Sequence, residues 1–234
     1  CGVTGDDCGG ENNYAWPLPS VETVQEVAHV FDIPPELLGA IVQIVQEVDY
    51  STTGTLSNDL LEDCVFGSLA YASHPGYAHF PLNLPSTIML HESLFAAGLA
   101  GKHPSPGLSQ IQLRRAEQME RWLFTQRADV ERYEPMRQAL GRSTGTVDRL
   151  VKLYEPDSAL TYVAAHTRWL VEQELEPEVG ASDLTVDQMT VIVAQYNIGP
   201  RSEVPVTDYS GYTFYESARV YIRAWQMRLR AASQ

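Results

Sequence analysis

Cysteine is almost missing from this chain: Cys1, Cys8 and Cys64 are all it contains. An odd number cannot pair completely within one polypeptide. A Cys8–Cys64 bridge would staple the N-terminal strap to the region after the first helix; free buried thiols are the equal alternative. No Cys-x-x-Cys or Cys/His spacing suited to zinc occurs, so neither a metal nor an organic cofactor is expected. Positive charge is also scarce, 16 Lys and Arg against 30 Asp and Glu, which leaves a formal net charge of −14. A general nucleic-acid binder needs a basic face, so that class is set aside. The same charge would slow capture of any anionic polymer unless it is segregated on the surface. No apolar run reaches the roughly 18 residues of a membrane span. A secretory signal is missing, and the abrupt start at Cys1 reads as that of a processed or trimmed product. Convincing β alternation, internal repeats and low-complexity tracts are scarce or missing too.

What the chain does have is helical periodicity in a sequence apolar enough, at 44% hydrophobic residues, to build a core. Residues 1 to 19 are rich in Gly, Asn and Pro and read as an irregular strap. Ser20 is a good N-cap for SVETVQEVAHVF, and Asp32-Ile33-Pro34-Pro35 breaks that helix and opens the next with proline in its first turn. Residues 50 to 107 are the least regular part, with a short helical stretch over PSTIMLHESLFAAGLAG. Helical patterns follow over 108 to 140, over 145 to 176 with an interruption near Pro156, and over LTVDQMTVIVAQYNIGP. There Asp183 is a possible cap and Gly199-Pro200 the stop. The last helix covers about FYESARVYIRAWQMRLRA. The expected fold class is mainly α.

Four segments, in order, resemble the lysozyme-like fold of goose-type lysozymes and soluble lytic transglycosylases. VQEVAHVFDIPPELLGAIV is similar to the lead-in of that family's catalytic helix. GLSQIQ at 107 to 112 resembles the family's GLMQI stretch on the cleft floor. ALTYVAAHTRWL resembles the helix that follows it, and VIVAQYNIGP the AYNAGP segment, whose Tyr and Asn face the substrate. YESARVYIRAW is similar to the closing helix. The resemblance implies one lysozyme-like domain over 20 to 234, with 50 to 107 as an insertion forming one wall of a saccharide cleft. It also implies cleavage of the β-1,4 link between N-acetylmuramic acid and N-acetylglucosamine in peptidoglycan. Gln110, Tyr196 and Asn197 would then touch substrate; otherwise Gln110 caps a loop and Asn197 a helix end.

Such cleavage needs a carboxylic acid still protonated near neutral pH, held in a low-dielectric place that raises its pKa. The family places this glutamate ten residues after the proline that opens the helix. Counted from Pro35, that position is Val45. Leu38, Ile41, Val45 and Val48 share an apolar stripe, whereas Glu47 lies about 200° around the helix, with Glu36, Ala40 and Gln43. Glu47 therefore reads as a solvated carboxylate and a lesser candidate acid. Asp49 is nearer in angle but lies a turn further on. Glu92, in LHES, precedes GLSQ at a spacing common in the transglycosylases and is a further candidate. Trp122, Tyr162, Trp169 and Trp225 read as core residues rather than sugar platforms. His91, His103 and His166 show no ligand spacing and read as structural or solvated.

The expectation is therefore a peptidoglycan-cleaving muramidase or lytic transglycosylase domain in which Val45 stands where the acid belongs. Its partners would be peptidoglycan or chito-oligosaccharide, together with an immunity or inhibitor protein if the domain is a secreted toxin. It would act outside the cell or in the cell envelope. The alternative class is a glycan-binding or protein-interaction module on the same fold, without turnover.

Overall fold

In a computed structural model of the chain, the residues described are 18–46, 111–174, 184–198 and 209–234. Most of the strap, all of the 50–107 insertion, Cys8, Cys64, Glu47, Glu92 and Gln110 lie outside them. All regular structure among the described residues is helical, as the periodicity requires.

Helix α1 (Val21–Val30) begins at Ser20, whose Oγ accepts the Thr23 N–H at 3.1 Å and satisfies one of the free donors of the first turn. It ends in a two-bond C-terminal turn, Ile33 N–H to Ala28 O at 3.0 Å and Asp32 N–H to His29 O at 3.2 Å. That turn requires a left-handed residue, and Asp32 supplies it at φ 49°. Arg168, far along the chain, donates to the Asp32 carbonyl and carboxylate, both at 3.0 Å, and so holds the corner in place.

Helix α2 (Pro35–Ile44) leaves α1 at a bend of 118° and carries proline at its first position. Every residue from Leu37 to Gln46 is buried. A helix buried all round belongs in the middle of a bundle, and α2 packs on α1 and three later helices. The Glu36–Ala40–Gln43 stripe departs from expectation: Ala40 and Gln43 are buried and only Glu36 is partly exposed. The C-terminal helix covers this face, with Arg228 donating to Gln43 at 3.3 Å and Gln226 to Glu36 at 3.2 Å. Beyond Ile44 the helix widens into a π-turn at 45–46, so 100° per residue no longer gives side-chain directions there.

Helix α3 (Leu113–Arg121) also widens into a π-turn, over Trp122–Gln126, closed by Arg127 N–H to Trp122 O at 2.9 Å. The continuous helical pattern of 108 to 140 is thus broken, resuming as α4 (Glu134–Leu140) and stopping at Gly141 with φ 62°. Helix α5 (Thr146–Tyr154) gives way at Pro156 to α6 (Pro156–Glu174), as expected. Helix α7 (Val186–Ile198) is capped by Thr185: Thr185 Oγ1 accepts the Gln188 N–H at 3.3 Å and the Gln188 side chain accepts the Thr185 N–H at 2.9 Å, while Asp183 lies outside the described residues. Helix α8 (Tyr209–Ala232) closes the bundle and starts earlier than its apolar pattern indicates.

Helix α6 is the hub. It packs on α1, α2, α3, α4, α5 and α7, and nearly every residue from Ala159 to Glu172 is buried. Two buried carboxylates fasten its surroundings. Glu120 of α3 accepts from Ser143, from Tyr162 of α6 and from Arg149 of α5 at 2.9 Å. Burial opposes the charge on Glu120, but the bonds from Arg149, Ser143 and Tyr162 together hold its pKa below the usual value. Glu172 of α6 takes a hydrogen bond from Tyr133 and ion pairs from Arg168 at 3.3 Å and Arg127 at 3.3 Å. Removing one partner of such a set leaves a buried charge uncompensated, which makes each partner structurally strict.

Candidate functional site

Helices α6 and α7 carry two of the resembling segments, α3 begins directly after a third, and side chains of the three helices meet in one cluster. Ile111, from GLSQIQ, is buried immediately before α3. One turn into that helix, the guanidinium of Arg115 lies 5.3 Å from the centroid of the Trp169 ring. Trp169 belongs to α6, and so does His166, whose ring stacks near it at 5.8 Å between centroids with 29° between planes. On its other side His166 meets Tyr196 of α7, centroid to centroid 4.8 Å at 45°. His166 and Trp169 are three residues apart on α6, which puts them on one face of that helix.

The electrostatics of the cluster are unusual for a core. His166 is 2% exposed, and neither ring nitrogen has a hydrogen-bond partner. Burial, and then the charge of Arg115, push its pKa down to about 3, so the imidazole is neutral at physiological pH. Arg115 is half-buried, and burial together with the adjacent Arg114 charge lowers its own pKa. Its Nη1 donates to the neutral amide oxygen of Gln118 at 2.8 Å, and no described carboxylate pairs with it. Glu120, the nearest buried acid along α3, is committed to Arg149.

Of the residues singled out in the sequence, Tyr196 is in this cluster, 7% exposed. Asn197 continues the same helix, its side chain outside the description. Val45 is 2% exposed at the end of α2, within the core that also contains Ile41, Val42 and Tyr196. Helix α2 packs directly on α6 and α7, the two helices that carry His166, Trp169 and Tyr196. Trp122, Tyr162, Trp169 and Trp225 are all buried, as core residues should be. Glu47, Glu92 and Gln110 have no described position.

Sequence reasoning missed Arg115 and took His166 as structural or solvated. One signal pointed to Arg115: the Arg114-Arg115 doublet, one residue past GLSQIQ, in a chain poor in positive charge. His166 carried none, because its surroundings come from α3 and α7. Among the described residues no group of His, Cys, Asp and Glu could hold a metal. No single described helix is long and apolar enough to cross a membrane. Comparison with protein-family models, curated proteins and solved structures found no match to this chain.

Proposed function

We propose that the chain is a lysozyme-like domain that holds the glycan strand of peptidoglycan in a cleft. It belongs to the class that cleaves the N-acetylmuramic acid–N-acetylglucosamine link, but Val45 occupies the acid's place. One observation carries this reading: Tyr196 of the AYNAGP-like stretch, His166 and Trp169 of the preceding helical segment, and Arg115, three residues beyond GLSQIQ, meet in one cluster. The fourth segment, α2, ends beside the helices that carry them. Arg115 is the partly exposed member of this cluster, and the buried Trp169, His166 and Tyr196 support it from behind.

Valine cannot donate a proton to a leaving oxygen. A chain dependent on position 45 therefore binds without cleaving. A second reading keeps catalysis and gives the acid to Glu92 or Glu47, both outside the described residues. Incubation with purified sacculi, followed by mass spectrometry of released muropeptides, separates the two. Wild type is expected to release nothing, and Val45→Glu to release muropeptides, because the apolar surroundings of position 45 favour a protonated carboxyl. Wild-type release abolished by Glu47→Gln or by Glu92→Gln would move the acid to that residue. A folded Val45→Glu protein as inert as wild type would leave a binding module without a catalytic position.

A further inference from the structure

Among the described residues, the other buried or half-buried arginines are neutralised by carboxylates, for example Arg149 by Glu120 at 2.9 Å and Arg168 by Asp32 at 3.0 Å and by Glu172 at 3.3 Å. Arg115 is the exception. Its one described hydrogen bond goes to the neutral Gln118 side chain, which leaves most of its five-donor fork without a described partner. Arg114, beside it on the exposed side, adds a second positive charge without a described counter-ion. Desolvating a cation with no anion nearby is costly, and so is burying an imidazole with no hydrogen bond. Both costs fall at one point, where Arg115 lies over Trp169 and Trp169 stacks with His166.

From this coincidence we infer that Arg115, held over the Trp169 ring and backed by His166, is the anchor for a carboxylate of the bound ligand. A guanidinium fork fits a carboxylate through two parallel hydrogen bonds, and stacking on an indole fixes the plane in which the fork points. The partly exposed Arg115 is open to a ligand arriving from solvent, whereas Trp169 and His166 lie behind it. This inference rests on the saccharide-cleft reading and deepens it. Of the two sugars in peptidoglycan, only N-acetylmuramic acid bears a carboxyl-terminated substituent, free or extended by an acidic peptide. Arg115 would thus distinguish wall glycan from the neutral N-acetylglucosamine polymer. It would also give an acidic protein one local positive contact for an anionic ligand.

The test is calorimetric titration of the whole chain with two soluble probes, a muropeptide disaccharide and a chito-oligosaccharide, on wild type, Arg115→Gln and Arg115→Lys, each checked for an unchanged melting profile. Arg115→Gln is expected to weaken the muropeptide at least ten-fold and leave the chito-oligosaccharide within two-fold. Arg115→Lys, which keeps the charge without the fork, should fall between. Equal weakening of both probes would make Arg115 a general saccharide contact and overturn the carboxylate assignment. Unchanged binding of both in Arg115→Gln would overturn it as well, with the cleft reading intact. If wild type binds neither probe, the cleft reading itself fails and the assignment with it. Muropeptide binding independent of salt would contradict an ionic anchor.

Discussion

His166 is a neutral histidine kept from water by Trp169 and Tyr196, with Arg115 the charged group against it. Its folded pKa, about 3, lies below the unfolded value of 6.5. Below pH 6.5 the unfolded chain therefore binds a proton that the folded chain refuses, and stability falls as pH is lowered from 6.5 toward 3. Between pH 6.5 and 5 this amounts to about 2 kcal/mol. His166→Phe keeps a flat ring without the titrating group. Urea unfolding at pH 7 and pH 5 should show a smaller drop for the variant than for wild type, by about that amount. Parallel drops would mean that His166 takes up its proton without unfolding. Little of this was legible in the sequence. The burial and isolation of His166 are set by α3 and α7, which lie elsewhere in the chain, and no local pattern encodes them.

The joint between α2 and α8 depends on one missing methyl group. A Cβ built on Gly39 would lie 2.2 Å from the Trp225 ring, and Trp225 is 1% exposed with no room to yield. Glycine costs roughly 1 kcal/mol of helix propensity here, which Gly39→Ala would recover. The overlap is larger, because two backbones must separate to relieve it, and overpacking of this kind typically costs about 1–3 kcal/mol. We expect Gly39→Ala to lower the melting temperature by several degrees, whereas an unchanged or higher value would show that α8 is not seated on α2 this closely. Elements of this kind were largely readable in advance. Ser20 caps α1, Pro35 opens α2 and Pro156 divides α5 from α6, each through local backbone chemistry. What local chemistry could not supply was the cover over Gln43, which comes from Arg228 some 185 residues away. Nor could it supply the π-turns at 45–46 and Trp122–Gln126, where tertiary packing overrides the regular helical repeat. Glu47, whose face was read from a helical wheel, lies outside the described residues.

At the scale of the whole molecule, a mainly helical bundle packs α3 and α7 on α6 and sets α2 against that hub. The order of these segments was visible in the sequence, whereas the meeting of Arg115, His166, Trp169 and Tyr196 appears only in the folded chain. The net charge of −14 opposes adsorption to an anionic wall, so any binding must come from specific contacts rather than bulk attraction. The most direct measurement is cosedimentation of the purified chain with isolated sacculi at physiological salt, with and without competing chito-oligosaccharide. A glycan-holding cleft predicts that the protein pellets with the wall and is released by the soluble saccharide, whether or not the wall is cleaved. Protein that stays in the supernatant at high concentration, or pellets but is not displaced by saccharide, would contradict it.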